Sequence, residues 1–144
     1  MNDSPSPVIL IVDDDEGHAI LIRENLEAAG LSNRMEHFRD GQAILDFFAS
    51  RPPGAHETYL LLLDIRMPKV DGIEVLRRLK ANPELSKLPV IMLTTTDDSR
   101  EVERCYKLGC NVYIQKPVDY ERFAEAIRRL GLFVTLLLLP ELSS

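Results

Sequence analysis

Four short apolar segments of this chain each lead into polar residues that could do chemistry. Asp13 and Asp14 follow the first segment, and Asp64 follows the second. Thr94 follows the third, and Lys116 comes two residues after the fourth. Carboxylates that share a site repel one another unless a cation neutralises them or some are protonated, and hard oxygen ligands favour Mg²⁺ or Mn²⁺. A hydroxyl and an ammonium could then hold the oxygens of a phosphoryl group, so the set predicts phosphoryl transfer to a carboxylate.

Each of these residues also has a simpler explanation when it is taken alone. The acidic run after the first segment could be the N-terminus of a helix, where the helix dipole favours negative charge. Asp64 could cap a turn, Thr94 heads a run of three threonines, and Lys116 with Pro117 could form only a turn. The site hypothesis is favoured because all of them fall at the carboxyl ends of predicted strands.

The apolar segments are typical of strands in a parallel sheet that helices cover on both faces. These predicted strands are Val8–Val12, Tyr59–Leu63, residues 90–93 and residues 112–114, with a weaker edge candidate at residues 33–39. Stripes with helical spacing lie between and after them, at Ala19, Ile22, Leu26 and Ala29; at Ile44, Phe47 and Phe48; at Ile73, Leu76 and Leu79; at Val102, Cys105 and Tyr106; and at Phe123, Ile127 and Leu130. The alternation predicts an α/β protein with a doubly wound, five-stranded parallel sheet, in which ligands bind at the carboxyl ends of the strands.

Four segments together resemble the receiver domain of two-component response regulators, the CheY-like family. They are residues 9–15, residues 61–68 with Asp71 and Gly72 behind them, residues 90–94 and residues 109–117. The resemblance covers about residues 7–131. It implies the (βα)5 flavodoxin-like topology with strand order 2-1-3-4-5, and a function in a phosphorelay.

The resemblance also implies a role for each matching residue. Asp64 would be the phosphoacceptor. Asp13 and Asp14 would be the acidic metal-binding pair, with Asp14 the more direct ligand, and the backbone carbonyl of Arg66 would be a further ligand of Mg²⁺ or Mn²⁺. Arg66 and Thr96 differ from the residues often found at their positions in the family. Side chains at these positions flank the path of the water that hydrolyses the phosphoryl group, so Arg66 would affect phosphoryl lifetime.

The remaining matches concern the phosphoryl group and the response to it. Thr94 would hydrogen-bond the phosphoryl group, and Lys116 would pair with it. Tyr113 matches the aromatic switch position, although a tyrosine there could also be an ordinary half-buried strand residue. The bond between Lys116 and Pro117 would be cis, as in the family.

The predicted protein is a phosphoacceptor rather than a conventional enzyme, although it would catalyse its own phosphorylation and dephosphorylation. Its partner would be a sensor histidine kinase. The helix that carries His18, the loop at residues 50–58 and the apolar tail also resemble small regulators partnered with bacterial phytochromes.

Two alternatives come from other classes of protein. A haloacid-dehalogenase-like phosphatase also uses an aspartyl phosphate, but Gly17 breaks its first motif and 144 residues leave no room for a cap domain. A pseudo-receiver would act by protein binding alone, and such proteins usually lack the acceptor or the acidic pair.

We divide the chain into an N-terminal tail at residues 1–7, a stand-alone receiver domain at residues 8–131 and an apolar extension at residues 132–144. The extension is apolar on all sides, and we expect a homodimer through Leu132, Phe133, Leu136 and Leu137. The tail could reach the second copy as a continuous helix, or it could leave the helix at Gly131, which weakens a helix by about 1 kcal/mol relative to Ala, and extend across that copy. The alternative to the dimer is a tail that folds back over its own domain.

Composition and terminal sequence bear on the partners of the protein and on its cellular compartment. The net charge of -6 disfavours binding to nucleic acid. The two cysteines match neither a zinc site nor a disulfide framework, so we expect reduced thiols near the core. The N-terminus does not resemble a signal peptide, and the longest apolar run, residues 130–139, is too short to span a membrane. We therefore expect a cytoplasmic protein without a membrane segment.

Overall fold

A computed structural model describes residues 7–52, 57–95, 97–117 and 119–138, with the backbone alone for residues 135–138. Five strands and five helices alternate along the chain. The strands are β1 (Val8–Val12), β2 (Met35–Phe38), β3 (Tyr59–Leu63), β4 (Val90–Thr94) and β5 (Val112–Gln115). All neighbouring strands are parallel, and the sheet order is β2-β1-β3-β4-β5. The predicted fold class and strand order are confirmed.

The helices follow the strands as α1 (Glu16–Ala28), α2 (Gly41–Ala49), α3 (Gly72–Ala81), α4 (Ser99–Leu108) and α5 (Tyr120–Leu138). An aspartate precedes each helix and accepts a hydrogen bond from a backbone N–H of its first turn, which satisfies a donor that has no partner within the helix. These aspartates are Asp15, Asp40, Asp71, Asp98 and Asp119.

Two apolar cores lie on opposite faces of the sheet. One contains side chains from α2, α3 and α4, and the other contains side chains from α1 and α5. The residues of β1 and β3 are buried along their whole length, because alternate side chains enter the two cores. Burying both faces explains why these strands consist of apolar residues without interruption.

Helix α4 buries fewer residues in its core than the other helices do among the described residues. Of its ten residues only Cys105 is buried. Our prediction that Tyr106 belongs to a buried stripe is wrong, since half of its surface is exposed. Its hydroxyl instead accepts a hydrogen bond from the backbone N–H of Tyr113 at 3.1 Å, on the outer edge of β5. Cys105 and Cys110 are both buried and free, as we expected.

Helix α5 continues through Gly131 to Leu138, so the tail does not leave the helix at the glycine. Gly131 is buried against α1: a Cβ atom at this position would lie 2.7 Å from the Cβ of Ala29. Val134 is buried in the same core as α1, whereas the side chains of Leu132 and Phe133 are largely exposed. Leu136 and Leu137 lie within the helix, but their side chains lie outside the described residues, as does the chain from residue 139 onward.

Within the described part of the chain, no helix combines the length and the apolar character that crossing a bilayer requires.

Candidate functional site

The register of the sheet brings the predicted site residues to one edge. Val12 pairs with Leu63 across β1 and β3, so Asp13 and Asp64 leave the sheet side by side. Thr94 ends β4 and pairs with Gln115 of β5, and the backbone N–H of Lys116 donates to the carbonyl of Thr94 at 2.7 Å. The four residues that the sequence placed at separate strand ends therefore meet in one crevice.

Lys116 lies at the centre of this crevice, and only 3% of its surface is exposed. Its Nζ donates a short hydrogen bond to Oδ2 of Asp13 and lies 3.4 Å from Oδ2 of Asp64. Burying charges without partners is costly, so the ammonium and the carboxylates depend on one another. One ammonium nevertheless faces two buried carboxylates, which leaves the site with excess negative charge.

Asp64 has two oxygens with different surroundings. The backbone N–H of Ile65 donates to Oδ1 at 2.8 Å, whereas Oδ2 faces Lys116. Burial raises the pKa of Asp64 above its usual value; Lys116 opposes this effect, and the charge of Asp13 adds to it. Oδ2 is therefore the oxygen of Asp64 that faces the crevice, and no backbone N–H of the described residues donates to it.

Thr94 has a buried hydroxyl group that makes no hydrogen bond of ordinary geometry among the described residues, although it lies close enough to Asp64 to oppose the rise in the pKa of that carboxyl. None of its surface is exposed. An unsatisfied buried hydroxyl costs free energy, so its persistence beside a charged crevice needs an explanation. A ligand with acceptor oxygens that enters the crevice would satisfy this donor.

The acidic residues of the crevice fit a divalent cation. One carboxylate oxygen from each of Asp13, Asp14 and Asp64 lies within 4.8 Å of the others. Asp13 and Asp64 are buried and Asp14 is exposed, so the group opens to solvent on one side. Three hard carboxylate ligands on an open site suit Mg²⁺ or Mn²⁺, which keep water and phosphate ligands.

The loop after β3 is held close to Asp64. The backbone N–H of Gly72 donates to the carbonyl of Ile65 at 2.8 Å, and a Cβ atom at Gly72 would lie 2.0 Å from the carbonyl oxygen of Asp64. Any side chain at Gly72 would displace this loop. Arg66 lies in this loop, and its side chain pairs with Glu101 of α4 rather than with the acidic residues.

Tyr113 lies on β5 opposite Met92 of β4 and is half-buried against the core that contains Cys105. Burial, followed by the charges of Cys105 and Glu101, raises the pKa of Tyr113 to about 12. Its phenol is therefore neutral at physiological pH and can both donate and accept hydrogen bonds.

The peptide bond between Lys116 and Pro117 differs from our prediction. No peptide bond between described residues is cis, so the bond from Lys116 to Pro117 is trans and the prediction of a cis bond is wrong. The trans form of such a bond is intrinsically favoured by about 0.5–1 kcal/mol. The Lys116 ammonium reaches Asp13 and Asp64 with this bond trans, so its position does not require the cis isomer.

His18 is a neighbour of the site to which the sequence analysis gave no chemical role. Its Nδ1 lies 3.2 Å from Nζ of Lys116, and its ring meets the ring of Phe123 edge to face. Asp15 caps α1 and is followed by His18 one helical turn later. That spacing was the available signal, because the first turn of a helix after a strand end faces the same crevice.

Comparison with known proteins gives a consistent result. The family model described as "Response regulator receiver domain" matches residues 9–128. A receiver domain from Rhodospirillum rubrum superimposes with a TM-score of 0.86 at 46% identity, covering 95% of this chain and 99% of that one.

Two further relatives are named for light signalling or have a metal bound. Response regulator Rcp1 of Synechocystis is 36% identical over 117 residues, which cover 78% of each protein. Its Mn²⁺-bound structure has a TM-score of 0.83, covering 96% of this chain and all of that one. The bacteriophytochrome response regulator AtBRR has a TM-score of 0.69 at 33% identity, covering 97% of this chain and all of that one. The match over most of its length, with five parallel strands in the same order, shows that this chain belongs to the response regulator receiver domains of two-component signalling.

Proposed function

We propose that Asp64 is the residue that accepts the phosphoryl group from a sensor histidine kinase, in a reaction that depends on a divalent metal ion. The observation that carries the proposal is the pair of contacts around Asp64. The ammonium of Lys116 faces its Oδ2, and the buried hydroxyl of Thr94 nearby makes no ordinary hydrogen bond to any residue that the structure describes. Both groups are donors that the oxygens of a phosphoryl group would satisfy.

The reaction can be written from the atoms of this crevice. Oδ2 of Asp64 attacks the phosphorus atom, and the bond from phosphorus to the donor's leaving atom breaks with its electron pair on the leaving group. Oδ1 stays with the backbone N–H of Ile65, which orients the carboxylate for attack. Lys116 and Thr94 then donate to the transferred oxygens. A bound Mg²⁺ or Mn²⁺ would supply positive charge that neutralises the phosphoryl oxygens.

Asp13, Asp14 and Asp64 would hold the metal ion, with the backbone carbonyl of Arg66 as a further ligand. Support comes from the spacing of the three carboxylates and from the Mn²⁺-bound structure of the related Rcp1. The cation would also relieve the repulsion between these carboxylates.

The first prediction tests the acceptor and the metal together. Acetyl phosphate with Mg²⁺ should add one acyl phosphate without any kinase, and mass spectrometry should place it on the peptide that contains Asp64. Excess chelator should prevent the reaction. The variant Asp14→Asn should need more Mg²⁺ for the same rate, whereas Asp46→Asn, the same change on an exposed residue of α2, should behave as wild type. Phosphate on another residue, or full uptake in chelator, would contradict the proposal.

Thr94 and Tyr113 are proposed to transmit the signal. When the Thr94 hydroxyl turns toward the phosphoryl group, Tyr113 gains room to turn inward, and the surface beside β5 changes shape. Support comes from the buried hydroxyl of Thr94, for which the described part of the chain offers no ordinary hydrogen bond, and from the half-buried position of Tyr113 on the neighbouring strand. The ring signals of Tyr113 should shift in NMR spectra on phosphorylation, while those of the exposed Tyr120 should not. Unchanged Tyr113 signals would rule out this role.

The proposed kinase is of the bacterial phytochrome class, and the proposed compartment is the cytoplasm. The likeness to the bacteriophytochrome response regulator AtBRR supports the first. The free thiols of Cys105 and Cys110 suit the reducing cytoplasm. A phosphotransfer profile against purified histidine kinases checks the partner: faster transfer from a kinase of another class would contradict it.

We also propose that α5 forms a homodimer contact. Leu132 is 57% exposed and Phe133 is 49% exposed, side by side on the part of α5 that follows the receiver core. Adjacent large apolar side chains in water favour association, and a two-fold axis is the simplest arrangement. Val134 contacts the chain's own core, so only part of this segment is available to a second copy.

The prediction for the dimer uses substitutions rather than truncation. A chain that ends at Leu130 would also lose the buried Val134, and its fold would be weakened. The variant Leu132→Ser/Phe133→Ser should be monomeric by light scattering at concentrations where the wild type is dimeric. Ile20→Ser, at a position that is 52% exposed on α1, is the matched control and should remain dimeric. A monomeric wild type, or a dimeric double variant, would exclude this interface.

A further inference from the structure

The ion pair between Arg66 and Glu101 joins the acceptor loop to α4. Nη2 of Arg66 lies 2.7 Å from Oε1 of Glu101, although 35 residues separate the two in sequence. Arg66 is two residues from Asp64, and Glu101 is the third residue of α4. The pair therefore links the residue that would become charged to a helix on the surface.

Glu101 is a partner that a phosphoryl group could replace. The side chain of Arg66 is 66% exposed, so its pairing with a single carboxylate is held weakly against water. At most about 7 Å of backbone separates its Cα from that of Asp64. A phosphoryl group carries about two negative charges and three acceptor oxygens, and a guanidinium binds such a group through two parallel hydrogen bonds. The phosphoryl group is thus the stronger of the two partners.

Among the described residues, few buried contacts hold the first turn of helix α4. Its only buried residue, Cys105, lies in the second half of the helix. The first turn is held by its cap at Asp98 and by the Arg66–Glu101 pair. Elements with few buried contacts have low local stability, so loss of one ion pair has a visible effect there.

We propose that Arg66 is a phosphoryl-binding residue whose guanidinium leaves Glu101 for the phosphoryl oxygens when Asp64 is phosphorylated, which releases the first turn of α4. This inference rests on the proposed role of Asp64 as the acceptor. It gives the side chain of Arg66 a task separate from that of its backbone carbonyl. It also places Glu101, whose charge reaches the phenol of Tyr113, in competition with the phosphoryl group.

Binding of beryllium fluoride with Mg²⁺, followed by NMR titration, tests the competition. Glu101→Gln removes the competing charge and should tighten binding about two- to five-fold, as expected for a partly exposed ion pair. Arg66→Ala should weaken binding to a similar extent. In the Arg66→Ala background, Glu101→Gln should have no effect. Glu103→Gln breaks the exposed pair of Glu103 with Lys107 on the same helix and should bind as wild type.

Hydrogen exchange of the first turn of α4 tests the release. In the wild type and in Glu103→Gln, exchange should become faster when beryllium fluoride is bound. In Glu101→Gln it should be fast in both states. Three results would each overturn the inference while leaving Asp64 as the acceptor. The first is equal affinity of Glu101→Gln and Glu103→Gln for beryllium fluoride, and the second is an effect of Glu101→Gln that persists in the Arg66→Ala background. The third is hydrogen exchange in the wild type that beryllium fluoride does not change. A wild type that neither binds beryllium fluoride nor takes phosphate would overturn both.

Discussion

Replacing Asp64 with asparagine is expected to abolish phosphoryl uptake and to raise the stability of the fold at neutral pH. The amide lacks the nucleophilic oxygen, but its carbonyl can still accept the hydrogen bond from Ile65 that Oδ1 accepts in the wild type. The stability should rise because the neutral side chain no longer places a charge in the buried crevice.

The pH dependence of this effect has a definite sign. Burial holds the pKa of Asp64 above its ordinary value of 3.8, so the protonated acid is favoured in the fold. Its contribution to stability is full below the unfolded-state pKa and is lost as pH rises through the higher folded-state pKa. The advantage of Asp64→Asn over the wild type should therefore grow across this window. Urea unfolding at pH values on either side of it measures the difference, with Asp46→Asn as the control.

Two results would contradict this prediction. If Asp64→Asn takes phosphate at the wild-type rate, another residue is the acceptor. If the variant is less stable than the wild type at neutral pH, then the attraction of Lys116 for Asp64 exceeds the cost of burying the carboxylate.

Of the variants proposed for the crevice, Lys116→Met is expected to lower the stability of the fold the most. Methionine preserves much of the buried volume but leaves the carboxylates of Asp13 and Asp64 without their ammonium partner. Removing one member of a buried ion pair typically costs about 3–5 kcal/mol. Phosphoryl uptake should also slow, because Lys116 no longer pairs with the transferred oxygens.

A second variant separates charge from packing. The double variant Lys116→Met/Asp13→Asn removes one of the uncompensated carboxylates and should recover much of the lost stability without recovering phosphoryl uptake. Mg²⁺ should stabilise the single variant more than the double variant, since it replaces the missing positive charge only where the carboxylates remain. Thermal unfolding with and without Mg²⁺ measures this. A single variant as stable as wild type would mean that the crevice does not depend on the ammonium.

The strands and their functional ends could be predicted from the sequence because burial on both faces leaves a continuous apolar signal. The bounds of β1 and β3 agree with the prediction to the residue, and β4 and β5 each extend one residue further. Parallel pairing then brings the following residues to one edge, so Asp13, Asp64 and Lys116 could be placed together before their distances were known.

Three other features of the structure could not be predicted, because no periodic pattern in the sequence indicates them. The pair of Arg66 with Glu101 joins an exposed and a half-buried residue that have no periodic relation, and many arginine–glutamate pairs would have fitted equally well. Tyr106 has the spacing of a buried stripe, but α4 packs too loosely on the core to cover it. The isomer at Pro117 was carried over from a resemblance, and the free-energy difference between isomers is too small for a resemblance to decide.

The hydrogen bond from the backbone of Tyr113 to the hydroxyl of Tyr106 has a consequence for aggregation. β5 is an edge strand, and the outward N–H groups of an edge can recruit a strand from another molecule. In this chain one of those groups is already occupied by a side chain of α4, on a strand of only four residues. Strand addition at β5 is therefore disfavoured, so this edge of the sheet resists open-ended association between copies of the protein.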